Sequence, residues 1–146
     1  MAERLAPSHR DSYARFIPHS TRWNDNDVYG HLNNVVHYEL FDTTVNTWLM
    51  QEGLLSLGAS AVIGLVAETG CRYHSEIVFP DVVTAGLRVA RLGTSSVRYE
   101  IGLFRNESRV AAAEGFFVHV YVDAATRKPT PLPAKHRQAM ERLIRG

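Results

Sequence analysis

Cysteine is nearly missing from this sequence: Cys71 is the only one. That excludes an internal disulfide framework and fits a reducing compartment. No apolar run approaches the roughly 20 residues that a membrane-crossing helix needs. The opening residues, MAERLAPSHRDSYARF, hold no apolar stretch of signal-peptide length. Charge of one sign is lacking too: 16 Lys and Arg stand against 15 Asp and Glu, a formal net charge of +1. With no basic block, the electrostatic footprint of a nucleic-acid binder is absent. There is no repeat, low-complexity tract or linker, so we expect one domain over 1–146. The reading is a cytoplasmic protein with no nucleic-acid partner and no membrane partner.

What is present is an ordinary apolar share, 45% of residues, enough for one core. Residues 1–11 read as a loose arm. Ser12 to Trp23 reads as a first strand, with Pro18 marking it as irregular or at an edge. Residues 24–34, NDNDVYGHLNN, are rich in Asn, Asp and Gly and read as a loop. A helix of roughly 20 residues follows. Asn33 or Asn34 is its N-cap, Tyr38, Phe41, Val45, Trp48 and Leu49 form its apolar face, and Gly53 is its stop. Strands are expected over 61–73, 82–92, 97–103 and 110–122, with Gly93-Thr94-Ser95 and Asn106-Glu107-Ser108 as turns. A Pro- and Thr-rich loop leads to a C-terminal helix over 133–145. Strands joined by short connections imply an antiparallel sheet. One long helix covered by such a sheet is an α+β arrangement.

The segment Arg22-Trp23-Asn24-Asp25-Asn26-Asp27-Val28-Tyr29-Gly30-His31-Leu32-Asn33-Asn34, followed by Tyr38, resembles the D-x-D-x-x-G signature of hotdog-fold acyl-CoA thioesterases. These are the relatives of 4-hydroxybenzoyl-CoA thioesterase. Tyr73, Phe79-Pro80-Asp81, residues 92–97, residues 118–123 and residues 126–133 are similar to that family's later strands and tail. The resemblance covers about residues 15–140. It implies a hotdog fold, a five-stranded antiparallel sheet wrapped round one long central helix. It also implies a homodimer with sites at the subunit interface, in some members a tetramer. It assigns Asp27 as the catalytic carboxylate and the backbone amide of Asn34, beside Asn33, as the group that polarises the thioester carbonyl. Val28, Tyr29, His31 and Leu32 depart from many relatives, so substrate preference does not transfer.

Thioester chemistry needs a nucleophile, either a carboxylate or an activated water, and donors aimed at the developing oxyanion. Asp27 precedes a helix start, where free amides and the positive dipole end form an oxyanion site. Only seven positions separate Asp27 from Asn34, so one loop can fold both around a carbonyl. Gly30 lets that loop turn. The competing reading is that Asp25 and Asp27 cap turns; for Asp25 it is preferred. His31 either orients Asp27, contacts substrate, or makes a simple backbone bond. His37 is expected on the helix surface or at an interface. Glu39 is a rival acid, as in another branch of hotdog thioesterases, though its face is polar. Tyr29, Glu68 and Thr69 are candidates for the acyl pocket; bonds within the sheet are the other reading for Glu68 and Thr69. Arg88, Arg91 and Arg98 are candidates for CoA phosphates, with solvated strand edges as the alternative. His74 and His119 are too scattered for a metal set. No metal and no cofactor are expected, coenzyme A being part of the substrate.

The sequence therefore points to hydrolysis of an acyl-CoA thioester to free acid and CoA. An acyl-carrier-protein thioesterase, a hotdog enoyl hydratase and a non-catalytic acyl-CoA-binding protein are the rivals, since a fold does not fix a function.

Overall fold

A computed structural model of the protein describes residues 5–55 and 60–145. Five strands form one antiparallel sheet: β1 (Arg15–Ser20), β2 (Val62–Tyr73), β3 (Val82–Leu92), β4 (Ser96–Arg105) and β5 (Ala113–Asp123). Their spatial order is β1-β3-β4-β5-β2. Only β3, β4 and β5 are joined as consecutive hairpins; β2 sits beside β5 at the far edge. Helix α1 (Asn34–Gln51) packs on one face of the sheet against β3 and β5. A short helix, α2 (Ala134–Glu141), follows β5. The architecture is the expected α+β sheet around a helix. The C-terminal helix is shorter than the expected 133–145. After Glu141 the chain turns instead to the sheet, where the Val89 amide donates to the Leu143 carbonyl and the Arg145 amide to the Val89 carbonyl.

The sequence dictates α1 at both ends. Asn33 caps it, its side-chain oxygen accepting from the Val35 amide at 3.0 Å. Gly53, at φ +70°, ends it: the Gly53 amide donates to Met50 and the Leu54 amide to Leu49. This pair of bonds needs a left-handed residue at that position. The buried face carries His37, Phe41, Thr44, Val45, Trp48 and Leu49, spaced at three and four residues. Two polar residues thus lie on a face that looked apolar. Thr44 is satisfied by its own helix, donating to the Leu40 carbonyl, and lies 2.8 Å from His19 Nε2. His37, expected on the helix surface or at an interface, is buried within the chain because it falls one turn before Phe41 on the same stripe.

Alternation along the strands separates two faces of the sheet. Val83, Ala85, Leu87, Val97, Tyr99, Ile101 and Leu103 face α1 and are fully buried. On the outer face, Gly86 and Gly102 are directly paired, and Tyr13 lies across both. A Cβ at either position would come within 2.8 Å of the tyrosine ring. Bare backbone at this pair gives the ring its seat. The loose arm expected over 1–11 is corrected here, residues 1–4 lying outside the described residues. The Ala111 amide donates to Ser8, the Arg10 amide to Arg109, and the Arg10 guanidinium to the Ser108 carbonyl. These bonds stitch residues 8–12 to the connection between β4 and β5.

The two sheet edges differ. β1 is short and carries Pro18, which cannot donate to a further strand. β2 is 12 residues long and apolar, yet it is mostly exposed, with Leu65 at 42% and Val66 at 51%.

Two stability outcomes follow from this packing. A Cβ at Gly115 would overlap the ring of fully buried Phe41. Gly115→Ala is therefore expected to destabilise the protein by about 1–3 kcal/mol in urea unfolding; an unchanged midpoint contradicts the packing. Burial also lowers the pKa of His19, His37, His119 and His136, holding them neutral in the fold. Below the ordinary histidine value of about 6.5, the unfolded chain then binds more protons than the folded one. Stability is complete above that pH and falls as pH drops below it. Thermal midpoints should fall by several degrees between pH 7.5 and 5.5, whereas a flat profile over that range contradicts the buried neutral state.

Candidate active site

The loop before α1 is closed by its own backbone. The Asp27 amide donates to the His31 carbonyl at 2.9 Å and the Gly30 amide back to Asp27 at 3.2 Å, with Gly30 at φ +84°. Asn26 and Leu32 pair across its neck. Asp25 holds the base. Its buried carboxylate accepts from the Arg22 amide at 2.8 Å and the Arg22 guanidinium at 2.9 Å, and its carbonyl accepts from the Asn33 amide at 2.8 Å. The turn-capping reading of Asp25 matches this geometry. The loop is also fastened sideways: the Leu32 amide donates to Ile77, and the Phe79 amide to the Asn26 side chain.

Asp27 stands at the tip of this frame with its side chain 17% exposed. Oδ1 accepts from the Tyr29 amide at 2.8 Å, and Oδ2 lies 3.5 Å from His31 Nδ1. The same His31 nitrogen is 3.2 Å from the Leu32 carbonyl, so it stands between that carbonyl and the Asp27 carboxylate. The carboxylate lines a cleft of about 470 Å³ shared with Tyr29, His31, Asn34 and His37, closed on the far side by residues 73–77. At the helix start, the Val35 and Val36 amides are both taken by Asn33. Among the described residues the Asn34 amide makes no hydrogen bond. An unengaged donor at the positive end of a helix, in the same cleft as a carboxylate, is the arrangement that acyl transfer requires.

Several cleft residues were missed in the sequence. His37 packs edge-on against Tyr73 at 4.8 Å, with Nδ1 3.2 Å from the Asn33 carbonyl. Burial lowers its pKa, outweighing the bonds to Asn33 and Asn34 that raise it. A neutral ring donating through Nδ1 keeps its lone pair on Nε2. The Tyr73 hydroxyl donates to the Asn34 carbonyl at 3.1 Å, joining the end of β2 to the start of α1. His74 Nε2 lies 2.7 Å from Glu114. Burial raises the Glu114 pKa, but bonds from Ser8 and His74 outweigh it and the net shift is downward. The sequence signal for His37 was its place on the Phe41 stripe; Tyr73 was marked only by the family resemblance, and nothing local placed residues 74–77 beside it.

Other expected residues are not brought to this cleft. Glu68 and Thr69 lie exposed on β2, and the Thr69 hydroxyl donates to the Phe116 carbonyl at 2.8 Å, a bond within the sheet. Arg88 and Arg98 are on the outer face, both paired to Glu100 at 2.8 and 3.1 Å, and stacked over Tyr13 and Phe116 respectively. Arg91 is exposed at the irregularity in β3. The phosphate-contact reading is thus not supported within one chain, because strand alternation turns Arg88 and Arg98 away from the α1 face. Glu39 is exposed on α1 and does not line the cleft. Among the described residues, no group of three or more His, Cys, Asp or Glu converges as a metal site.

The sequence pattern of the thioesterase-like superfamily matches residues 21–140. No curated protein matches the chain. Among solved structures, it is similar to the PA5185 protein from Pseudomonas aeruginosa strain PAO1, at 46% identity over 97% of this chain and 99% of that one, with a TM-score of 0.92. It is similar to the PA2801 protein from Pseudomonas aeruginosa, at 30% identity over 87% and 98%, with a TM-score of 0.81. Slr0204, a 1,4-dihydroxy-2-naphthoyl-CoA thioesterase from Synechocystis, shares the fold at 17% identity over 86% and 93%, with a TM-score of 0.78. The pattern match over residues 21–140 and the relatives at 46% and 30% identity show the family: the chain belongs to the thioesterase-like superfamily.

Proposed function

We propose that the protein hydrolyses an acyl-CoA thioester to a carboxylic acid and CoA. The observation that carries this reading is the oriented Asp27 carboxylate sharing one cleft with the unengaged Asn34 amide. The thioester oxygen takes the Asn34 N–H, which stabilises the negative charge that grows there. Asp27 either attacks the carbonyl carbon, expelling CoA thiolate and leaving an anhydride that water opens, or removes a proton from the attacking water. Both routes use the same two groups and need no cofactor beyond the CoA of the substrate. The CoA assignment draws on relatives such as Slr0204, whose name is that of a CoA thioesterase. A cytoplasmic location is part of the same reading.

The working form in this reading is a homodimer joined through β2. A long, apolar edge strand with unpaired backbone groups is a template for another strand. From Val62 to Tyr73 it contains no Pro and no Lys, while β1 at the other edge has Pro18. Antiparallel pairing of two β2 edges covers Leu65 and Val66. It also carries Glu68 and Thr69 toward the second chain, where an acyl-pocket role for them becomes geometrically reasonable. Pairing of two dimers into a tetramer is compatible with this arrangement.

Two measurements test the reading. In a free-thiol assay over a panel of acyl-CoAs, Asp27→Asn should lower kcat roughly a thousandfold, while Glu39→Gln leaves it near wild type. Thiol release by Asp27→Asn at the wild-type rate removes the carboxylate from the mechanism, and tight binding without any release identifies an acyl-CoA-binding protein instead. For the dimer, light scattering should give twice the chain mass for wild type and the single mass for Leu65→Lys, which puts a charge on the edge; a monomeric wild type ends the edge-pairing argument.

A further inference from the structure

His37 has no part in the hydrolysis set out above, yet it lines the same cleft as Asp27 and Asn34. It stands three residues after Asn34, so the two side chains rise from one face of α1, roughly 5–6 Å apart at Cβ. Helical side chains lean toward the N-terminus of their helix. The imidazole accordingly lies back over the first turn, with Nδ1 3.2 Å from the Asn33 carbonyl. The residue is 4% exposed, and its ring is held edge-on by Tyr73 at 4.8 Å. A carbonyl accepts and cannot donate, so Nδ1 carries the hydrogen and Nε2 the lone pair. Among the described residues Nε2 makes no hydrogen bond. Burial keeps the ring neutral, outweighing the bonds to Asn33 and Asn34, and the neighbouring His31 acts in the same direction as burial.

Asp27 is in the opposite condition. Oδ1 accepts from the Tyr29 amide at 2.8 Å, and Oδ2 lies 3.5 Å from His31 Nδ1. A carboxylate is also the weaker base of the two, with an ordinary pKa of about 4 against about 6.5 for an imidazole. General-base catalysis favours the group whose pKa lies nearer the working pH. The cleft thus holds a fixed carboxylate suited to attack on carbon and a bare imidazole lone pair suited to a proton.

We propose that His37 is the base for the hydrolytic water and that Asp27 acts as the nucleophile. The assignment rests on the thioester-hydrolase reading of the cleft and chooses between its two routes. Asp27 forms a bond to the carbonyl carbon, the C–S bond breaks, and CoA leaves as thiolate. Water then attacks the acyl carbon of the anhydride while His37 Nε2 takes one of its protons. The bond from that carbon to the Asp27 oxygen breaks, and the carboxylate returns. The imidazolium passes its proton to the CoA thiolate. The sum is thioester and water giving acid and thiol, with both side chains restored.

The other titratable groups on this cleft are Asp27 and His31 in the loop and Tyr73, His74 and Glu76 opposite. Tyr73 stays protonated, its pKa raised by burial. The base has to be neutral, so opening of the anhydride slows as pH falls through the His37 pKa, which lies below the ordinary value of about 6.5.

The test quenches the enzyme during turnover of an acyl-CoA and weighs the intact protein. His37→Asn keeps a donor where Nδ1 stands and has no base at Nε2. It should release one thiol per subunit in a burst, then turn over at least about a hundredfold more slowly than wild type, with the mass of the acyl group on the chain. A structural role for His37 gives slower thiol release with no burst and no acylated chain. His37→Gln, whose amide reaches the Nε2 position, serves if the first variant does not fold. In wild type the acylated fraction should rise as pH is lowered from 7.5 to 5.0; a fraction that does not rise overturns the proposal without any variant. So does a folded variant that turns over at the wild-type rate or accumulates no acylated chain, and thioester hydrolysis then stands with Asp27 as the base. Failure of wild type to release thiol from any acyl-CoA removes the hydrolase reading itself.

Discussion

The start of α1 is the point on which the rest of the structure depends. A helix leaves its first amides without internal partners. Here Asn33 takes two of them, Val35 through its side chain and Val36 through its carbonyl. The amide left over is that of Asn34, a residue that lines the cleft. That outcome needs Asn33 held in place, and the loop supplies the hold. The Asn33 amide is tied to Asp25, Asp25 to Arg22, and the Leu32 amide to Ile77. The positive end of the helix dipole adds to the stabilisation of an oxyanion there, an effect confined to the first turn.

The sheet positions the opposite wall of the same cleft. β2 ends at Tyr73, and its hydroxyl reaches the Asn34 carbonyl. The chain then passes through His74 to Ile77, whose carbonyl receives Leu32. Loop, helix start and strand end are therefore one hydrogen-bonded unit. Its outer support is Glu114, which gathers His74, Ser8 and the Tyr13 hydroxyl, while Tyr13 itself lies across the Gly86–Gly102 pair. The N-terminal segment thus contributes to the cleft without lining it, and the absence of side chains at two paired glycines is what lets it do so.

Much of this was legible in the sequence, for identifiable reasons. The run from Asp25 to Asn34 combines turn formers with a cap, so the loop and the helix start could be placed by residue. Gly53 marked the helix end, because few other residues adopt its φ. The two-residue period of 97–103 fixed which face of β4 is buried. His37 was left off the apolar face because its side chain is polar, although its spacing to Phe41 puts it there. The sequence-distant cleft residue His74 and its partner Glu114 depend on strand order, and β2 joining β5 rather than β3 has no local signature. Arg88 and Arg98 look like free cations in the sequence; in the fold, cross-strand pairing gives them a common partner in Glu100. Thr69 looked like a polar intruder in an apolar strand and is accounted for by its bond to Phe116.

The two ends of α1 treat buried polarity in opposite ways, and the contrast bears on what the helix is for. At the N-terminal end His37 is paired to Asn33, Tyr73 to Asn34, and the loop carboxylates to amides, so almost every polar atom is fixed and one donor is kept back. At the C-terminal end His119 keeps both nitrogens unpaired among apolar neighbours. An apolar side chain of similar shape at position 119 would avoid that cost and pack against Tyr99 and Phe117 as well. A fold that only had to be stable would gain by the exchange. The imidazole at position 119 therefore carries a cost that stability alone does not account for, and the contrast runs the length of α1, with polar atoms paired at its start and left open beside its far end.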